Sequence, residues 1–544
     1  MKTVKTDVLV IGGGIAGCFA AISADKMGKR VAILDKATLQ RGGSVGPGMD
    51  HVALGVHPEA LSYEEAVEYA KNTRKDLYDP NVMLSIEVNG FDRVKDLESF
   101  GVRIREDDGS LYIWKIPERH FYLASYRGVD TKVKLGKAVE RTNAQIFERT
   151  MGIELIKKGD RVIGAIGLNT RTGELTTFLA RATILSTGET TRQYIAPDGP
   201  FNTYFSPTNT GDSETMAYRA GAKLVNMEFL YYDYVTLRAG GGIVGCKPFD
   251  KIGKLVNRNG DVVLNSEEES IMRSFLMYKE IVEGRSPLYW DLSDLPEDVL
   301  NMYEREMSHE YPITKKWFKE RGIDIRKDLI PNKLDPCCIV GGPLVDETFR
   351  TSVPGLFAAG ATNAFVRAIG GSSVSGYIAG EQASEYASTV SLPELADKYL
   401  QESEKAILAP MNRENGIDPK ELELTVRTIL SNYVGFFRNE EIMTHALGKL
   451  LDLRNYYKDK LVAGNPHELM RCCEVKSIID FAEMHIRAAL YRKETRFRKL
   501  GNFVHFRADY PETNPEWGKW VVVQKDDEDN MSLNTLEVPE LKEV

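Results

Sequence analysis

An apolar run, Val8-Leu9-Val10-Ile11, passes directly into Gly12-Gly13-Gly14-Ile15-Ala16-Gly17, a G-x-G-x-x-G spacing between an expected strand and an expected helix. No other feature restricts the fold as much. Gly12 allows a sharp turn, Gly14 lets a pyrophosphate approach the backbone, and Gly17 permits close helix–strand packing, so that phosphates meet the positive end of the helix. A second apolar run, Val31-Ala32-Ile33-Leu34, ends in Asp35, at the spacing of a carboxylate that binds ribose hydroxyls, with Lys36 beside it. Strand, helix, second strand and acid in register predict a dinucleotide site; the plain alternative is an ordinary tight turn.

The 544 residues exceed one simple core, and 42% hydrophobic with 27% charged residues is ordinary for a globular protein. With 70 basic and 79 acidic side chains the net charge is −9, which argues against nucleic acid as a partner. The strand of the glycine motif begins almost at Met1, leaving no room for a signal peptide, and no apolar stretch approaches a membrane span. A cytoplasmic location without direct membrane insertion is the expectation. The six cysteines, Cys18, Cys246, Cys337, Cys338, Cys472 and Cys473, show no C-x-x-C spacing, so no metal or iron–sulfur site is expected.

Nucleotide-domain features recur at separated places, as in one domain assembled from distant segments. Arg161-Val162-Ile163-Gly164-Ala165-Ile166-Gly167 reads as a strand, Ala182-Thr183-Ile184-Leu185-Ser186 is an apolar run ending at Thr187-Gly188, and Gly355-Leu356-Phe357-Ala358-Ala359 ends at Gly360. Between about 240 and 333 the texture changes to charge and Tyr/Trp after Gly240-Gly241-Gly242, which suggests an inserted domain. From 392 to 500 the spacing of residues such as Leu422, Val426, Ile429 and Leu430 is helical. The last stretch, with Asp526-Asp527-Glu528-Asp529, reads as an extended acidic tail.

Together with Thr210-Gly211-Asp212, Ala220-Gly221-Ala222, Met227-Glu228-Phe229 and Gly370-Gly371-Ser372-Ser373, these segments resemble the flavoprotein family of fumarate reductase, succinate dehydrogenase and L-aspartate oxidase. The resemblance covers nearly the whole chain. Within that family, His467-Glu468-Leu469-Met470-Arg471, Glu483-Met484-His485-Ile486-Arg487, Arg492-Lys493-Glu494-Thr495-Arg496 and Phe506-Arg507-Ala508-Asp509-Tyr510-Pro511 are similar to the flavoprotein (alpha) subunits of dissimilatory adenylylsulfate reductase. So is the loop Arg41-Gly42-Gly43-Ser44-Val45-Gly46.

The resemblance implies an α/β fold: a discontinuous Rossmann-like FAD-binding domain (1–239 and 334–391), an inserted α+β cap (240–333), a C-terminal helical domain (392–500) and an extended tail (501–544). It implies FAD contacts from Gly12, Gly14, Ile15, Ala16, Gly17, Asp35, Lys36, Gly42, Gly43, Ser44, Thr187, Gly188, Asp212, Gly360, Ser372, Ser373 and Val374. The Gly370–Ser373 segment opens a helix in this family and sets its dipole against the pyrimidine end of the flavin. Gly43 stands where covalently linked relatives carry histidine, so FAD is expected to be non-covalent. A ferredoxin-like iron–sulfur protein is the implied partner, exchanging electrons with a small anionic substrate at flavin N5.

The catalytic pattern departs from that of the fumarate enzymes, which need cations to hold two carboxylates and an acid beside the alkene. Asp233 falls where the family has a histidine, the cap reads Cys246-Lys247-Pro248-Phe249-Asp250-Lys251 without the R-G-E-G arginine, and Cys337 precedes Gly341-Gly342 where another histidine is expected. Arg367 resembles the substrate-binding arginine, one residue out of register. The arginine expected after Met-Glu-Phe in adenylylsulfate reductase is displaced to Arg238, and His51-Val52-Ala53 replaces an expected asparagine. Asp233, His51, Arg367 and Arg238 are therefore the catalytic candidates.

For each candidate a structural role competes. Asp233 is either an acid of raised pKa or a hydrogen-bonded residue among Tyr231, Tyr232 and Tyr234. His51 is a proton donor or a packing residue, and Arg367 an anion anchor or half of an ion pair. Cys337 and Cys338 tempt a redox role, although adjacent cysteines close strained rings; Cys472 and Cys473 read as helix core. The Arg492–Arg496 segment is either a solvated basic face or a binding surface. An enoate reductase or dehydrogenase with altered substrate, and a non-catalytic electron-relay flavoprotein, are the competing functions.

Overall fold

The computed structural model describes residues 1–46, 51–57, 59, 62–116, 121–195, 206–236, 253–264, 273–309, 312–392, 394–498 and 503–542. Its central sheet is built around the first strand, Lys2–Ile11, which pairs in parallel with Val31–Leu34 on one side and Leu175–Leu185 on the other. Gln145–Phe147 extends one edge in parallel, and Leu356–Ala358 adds in parallel to Leu175–Leu185. Val8, Leu9 and Val10 are completely buried, because a parallel strand covered on both faces needs an unbroken apolar run. Arg161–Asn169 and Thr150–Lys158 continue beyond Leu175–Leu185 as antiparallel strands.

Two buried helices cover this sheet near the glycine motif. In Ile15–Lys26 every residue from Ile15 to Ala24 is buried. The helix Ala368–Thr389 lies across it, and a β-carbon at Gly376 would collide with the carbonyl of Ala16. The chain thus brings residue 376 against residue 16, assembling the domain from its distant segments.

A second, antiparallel sheet runs in the order Val262–Leu264, Lys254–Val256, Leu288–Asp291, Ile330–Ile339, Leu230–Thr236, Phe503–His505 and Arg496–Arg498. It crosses the expected boundary of the inserted domain at both ends. The crossing is invisible in the composition, because strand pairing between residues 230, 330 and 504 is non-local. The helices Glu297–His309 and Pro312–Arg321 follow within the inserted segment.

The helical domain consists of Asp397–Leu408, Pro419–Tyr433, Glu440–Tyr457 and Pro466–Tyr491. Three of these starts are capped by side chains: Asp418 accepts from the Lys420 amide, Asn439 from Ile442 and Asn465 from Glu468. Leu422, Val426 and Leu430 are buried, as their spacing predicts. The last segment is more structured than an extended tail. Lys519–Lys525 and Met531–Glu537 form a hairpin that pairs with Leu224–Val225. The acidic run is its turn, with the Asp526 carboxylate accepting from the Glu528 and Asn530 amides.

Candidate functional site

The glycine motif forms one end of a cleft of about 250 Å³. Gly12 has φ of +108°, and a β-carbon there would collide with the carbonyl of Ser186; one at Gly17 would collide with the carbonyl of Gly12. At Gly14, by contrast, the nearest protein atom to such a carbon is the Gly43 Cα, 4.0 Å away. The helix Ile15–Lys26 therefore presents its N-terminus to open space, as an anionic pyrophosphate requires.

Asp35 is 5% exposed and accepts from the Gly13 amide at 3.1 Å and the Ala37 amide at 2.7 Å. Burial pushes its carboxyl above the usual range, while the Lys132 ammonium and those two amides pull it back. A β-carbon at Gly42 would collide with the same carboxylate, so the loop 41–46 rests directly on the end of the second strand. Lys36 points to the other side. Its Nζ lies 3.2 Å from Asp212 and 2.6 Å from Glu474, and these carboxylates outweigh burial to hold its ammonium above the ordinary lysine range.

Of the residues expected to contact the cofactor, Gly12, Gly14, Ile15, Ala16, Asp35, Lys36, Gly42, Gly43, Ser44, Thr187, Gly188, Asp212, Gly360 and Ser372 line the cleft. Gly17 lies behind it. Ser373 turns its hydroxyl to the backbone of its own helix, at Ile369 and Gly370, and Val374 is completely buried in the core. Thr150, Met151, Gly152, Ser206, Thr208 and Asn209 also line the cleft. Only strand order and loop packing bring them there, so no local motif marks them. The Ser375 hydroxyl, which accepts from the Gly360 amide at 2.9 Å, is a further support that sequence reading missed.

At the far end the helix Ala368–Thr389 begins two residues earlier than its glycine pair, with Arg367 as N-cap and Ala368, Ile369 and Ser372 facing the cleft. The Arg367 guanidinium donates to the carbonyls of Val340, Val366 and Asn363, and its Nε has no partner among the described residues. Glu189, which lines the cleft, is raised by burial while Arg367 opposes that shift. Beside Arg367, the ring of Phe503 also packs against the guanidinium of Arg498, at 5.7 and 5.2 Å from the two carbon centres.

The other catalytic candidates are dispersed. His51 is buried at the start of the strand His51–Leu54, opposite Ser125 in register, and is not among the residues lining the cleft. Asp233 lies in Leu230–Thr236, opposite Asp335. Arg238 and Cys246 lie outside the described residues. Cys337 and Cys338 are buried on the neighbouring strand, and Cys18, Cys337, Cys338, Cys472 and Cys473 form no disulfide.

Within Arg492–Arg496, Lys493 is exposed and the other residues are buried or half-buried. Arg492 is completely buried, with Glu228 at 2.5 Å and Glu494 at 2.8 Å, and Glu494 in turn holds Arg496 at 2.6 Å. Glu494 of the segment itself pairs with both arginines, and the distant Glu228, which sequence spacing does not reveal, completes the cluster. His485 is likewise interior: burial pushes it down to about 3, and its ring bridges the Tyr194 hydroxyl at 2.8 Å and the Met227 carbonyl at 2.6 Å. Among the described residues no cluster of three or more His, Cys, Asp or Glu side chains is placed to hold a metal, and no helix is long and apolar enough to cross a membrane.

Comparison with known proteins supplies the family. Residues 7–384 match the FAD binding domain family, and residues 423–543 match the fumarate reductase flavoprotein C-terminal family. The chain is 28% identical to an uncharacterised FAD-dependent oxidoreductase of Methanocaldococcus jannaschii, over 96% of each chain. It is 27% identical to one of the subunits of the fumarate reductase (CoM/CoB) of Methanothermobacter marburgensis, over 96% of this chain and 97% of the relative. Among solved structures, adenylylsulfate reductase from Archaeoglobus fulgidus superposes with a TM-score of 0.85 at 23% identity, covering 100% of this chain and 97% of that one, which shows a shared fold. A glycine turn opening on a cleft, a buried acid at the end of the second strand and a family match across both halves lead to one conclusion: this chain is an FAD-dependent oxidoreductase and belongs to the FAD-binding flavoprotein family of fumarate reductase and succinate dehydrogenase.

Proposed function

We propose that the chain is the flavin-bearing component of a reductase of the adenylylsulfate reductase alpha type, working between a ferredoxin-like iron–sulfur partner and a small anionic substrate. The observation that carries this reading is Arg367, a cation with an unpartnered Nε at the N-cap of the helix whose first turn lines the cleft. FAD, when bound, supplies two-electron chemistry toward a substrate and one-electron exchange with an iron–sulfur partner. The chain's residues hold and tune it. The turn at Gly12–Gly14 and the helix start at Ile15 take the phosphates, Asp35 takes the ribose hydroxyls, and Gly42, Gly43 and Ser44 close over the chain without a linking side chain. The amide end of the helix Ala368–Thr389 favours negative charge at the ring, and Arg367 orients an anion beside it.

The residues expected of a fumarate enzyme are replaced at Asp233 and Cys337, which favours a substrate held by arginine and aromatic side chains. A second reading, an enoate reductase of the fumarate type, has the relationship to the Methanothermobacter marburgensis fumarate reductase (CoM/CoB) in its favour. One experiment separates them: reduce the holoprotein anaerobically, add adenosine phosphosulfate or fumarate, and follow flavin absorbance with product formation. Reoxidation by adenosine phosphosulfate with stoichiometric sulfite and AMP is the expected result. Reoxidation by fumarate alone, yielding succinate, supports the second reading. Reoxidation by neither, from a holoprotein that turns over with artificial dyes, overturns both in favour of an electron-relay flavoprotein.

A further inference from the structure

Among the described residues the four most buried arginines are Arg438, Arg492, Arg498 and Arg507, and one of them is unlike the rest. Arg492 donates its terminal nitrogens to Glu494, Trp517 and Lys519, and Arg507 donates its own to Asp509 and to the carbonyls of Ala489, Leu490 and Arg492. Arg438 likewise donates to the carbonyls of Glu228 and Gly435. Arg498, only 1% exposed, uses its Nε for the Asp76 carbonyl at 2.5 Å, but neither Nη1 nor Nη2 has a partner among the described residues. A guanidinium does not deprotonate to relieve this, so its two free N–H groups call for an acceptor.

Three aromatic rings face the Arg498 guanidinium. The Arg498 carbon centre lies 4.3 Å from the ring of Tyr78, 5.1 Å from that of Phe229 and 5.2 Å from that of Phe503. Aromatic faces favour a cation, yet they leave its hydrogen bonds unmade. Arg367 packs against the same Phe503 ring with its own Nε unpartnered. Two like charges share one aromatic wall; the nearby acid Glu228 gives its Oε1 to Arg492, and its Oε2, like the Arg498 terminal nitrogens, makes no hydrogen bond among the described residues. Burial, joined by the Arg367 charge, outweighs the support of Tyr78, Asp76 and Glu228 and acts against the charged form of Arg498.

We propose that Arg498 is a specificity-determining arm of the anion site, binding an oxyanion group of the substrate through Nη1 and Nη2 while Arg367 holds the same anion from the flavin side. This rests on the reading of the substrate as a small anion. A planar fork with two free donors matches two oxygens of one group, which a carboxylate and a sulfo or phosphoryl group share. The cationic residue that selects the substrate then lies on the C-terminal segment, more than a hundred residues beyond the flavin helix.

The test uses the full-length holoprotein, with malonate and sulfate as separate probes and the flavin absorbance difference as readout. The native protein is expected to bind at least one of them. R498M is expected to weaken that binding at least tenfold, with R498K between, while FAD content and thermal midpoint stay at or above native values, since the substitution removes an unpaired buried charge. A response to malonate alone marks a carboxylate substrate, and to sulfate alone a sulfo or phosphoryl one. Unchanged binding in R498M overturns the assignment of Arg498 and leaves the small-anion reading at Arg367 standing. Loss of FAD or of folding in both R498M and R498K overturns it in favour of a structural role. No response of the native flavin to either probe overturns the small-anion reading together with this assignment.

Discussion

Glu87 is a buried carboxyl without a cation. Its Oε2 accepts from the Gly55 amide at 2.6 Å and the Val56 amide at 3.2 Å, just past the strand that begins at His51, and burial pushes it up to about 8 against those two amides. The folded protein therefore keeps a proton that the unfolded chain releases above its ordinary value of 4.5. Stability from this group is complete below pH 4.5 and falls as the pH rises toward 8, by at most ~1.4 kcal/mol per pH unit. E87Q keeps an acceptor for both amides, so denaturant midpoints across that window are expected to lose this slope. Glu474 has the opposite sign. Burial opposes its charge, but Lys36, Arg192 and Arg471 outweigh it and hold the carboxyl at about 2, so its contribution is present above pH 4.5 and lost as the pH falls toward 2. E474Q leaves those three cations without a shared carboxylate, and urea unfolding at pH 7 is expected to show a loss of ~3–5 kcal/mol with a flatter acid limb.

Among the elements, the pair of helices behind the cleft sets how accurately its two ends face each other. The starts of Ile15–Lys26 and Ala368–Thr389 both line the cleft, and Gly376 is where the two backbones meet. G376V forces them apart. It is expected to cost ~1–3 kcal/mol or more from overpacking, and to weaken FAD binding more than a surface change of equal stability cost, as read by FAD retention on dilution. The glycine turn, Asp35 and the helical domain were legible because each is written in consecutive residues: a fixed spacing, a strand-end acid, capped periodic helices. The sheet linking Leu230–Thr236, Ile330–Ile339 and Phe503–His505 was not, because its register depends on pairing across more than a hundred residues. For the same reason the hairpin at Lys519–Glu537 read as a tail, and the Arg492 cluster as a surface.

At the scale of the whole molecule, the C-terminal segments complete the flavin domain. Glu474, on the helix Pro466–Tyr491, pairs with Lys36 beside Asp35, and the Phe503 ring packs against both Arg498 and Arg367, the N-cap of the helix whose first turn lines the cleft. The cofactor end of the site was mostly legible in the sequence, since FAD imposes a local fingerprint. The surroundings of Arg367 were not: that arginine was visible, whereas Tyr78, Phe229, Arg498 and Phe503 gather near it through tertiary packing alone. Gly43, which meets Gly14 and offers no side chain to link a flavin, predicts a cleft that holds FAD without a covalent bond. The most direct test is acid precipitation of the purified yellow protein, with the chromophore assayed in both fractions. FAD is expected in the supernatant; flavin that stays with the pellet, or a protein that binds no flavin, contradicts this.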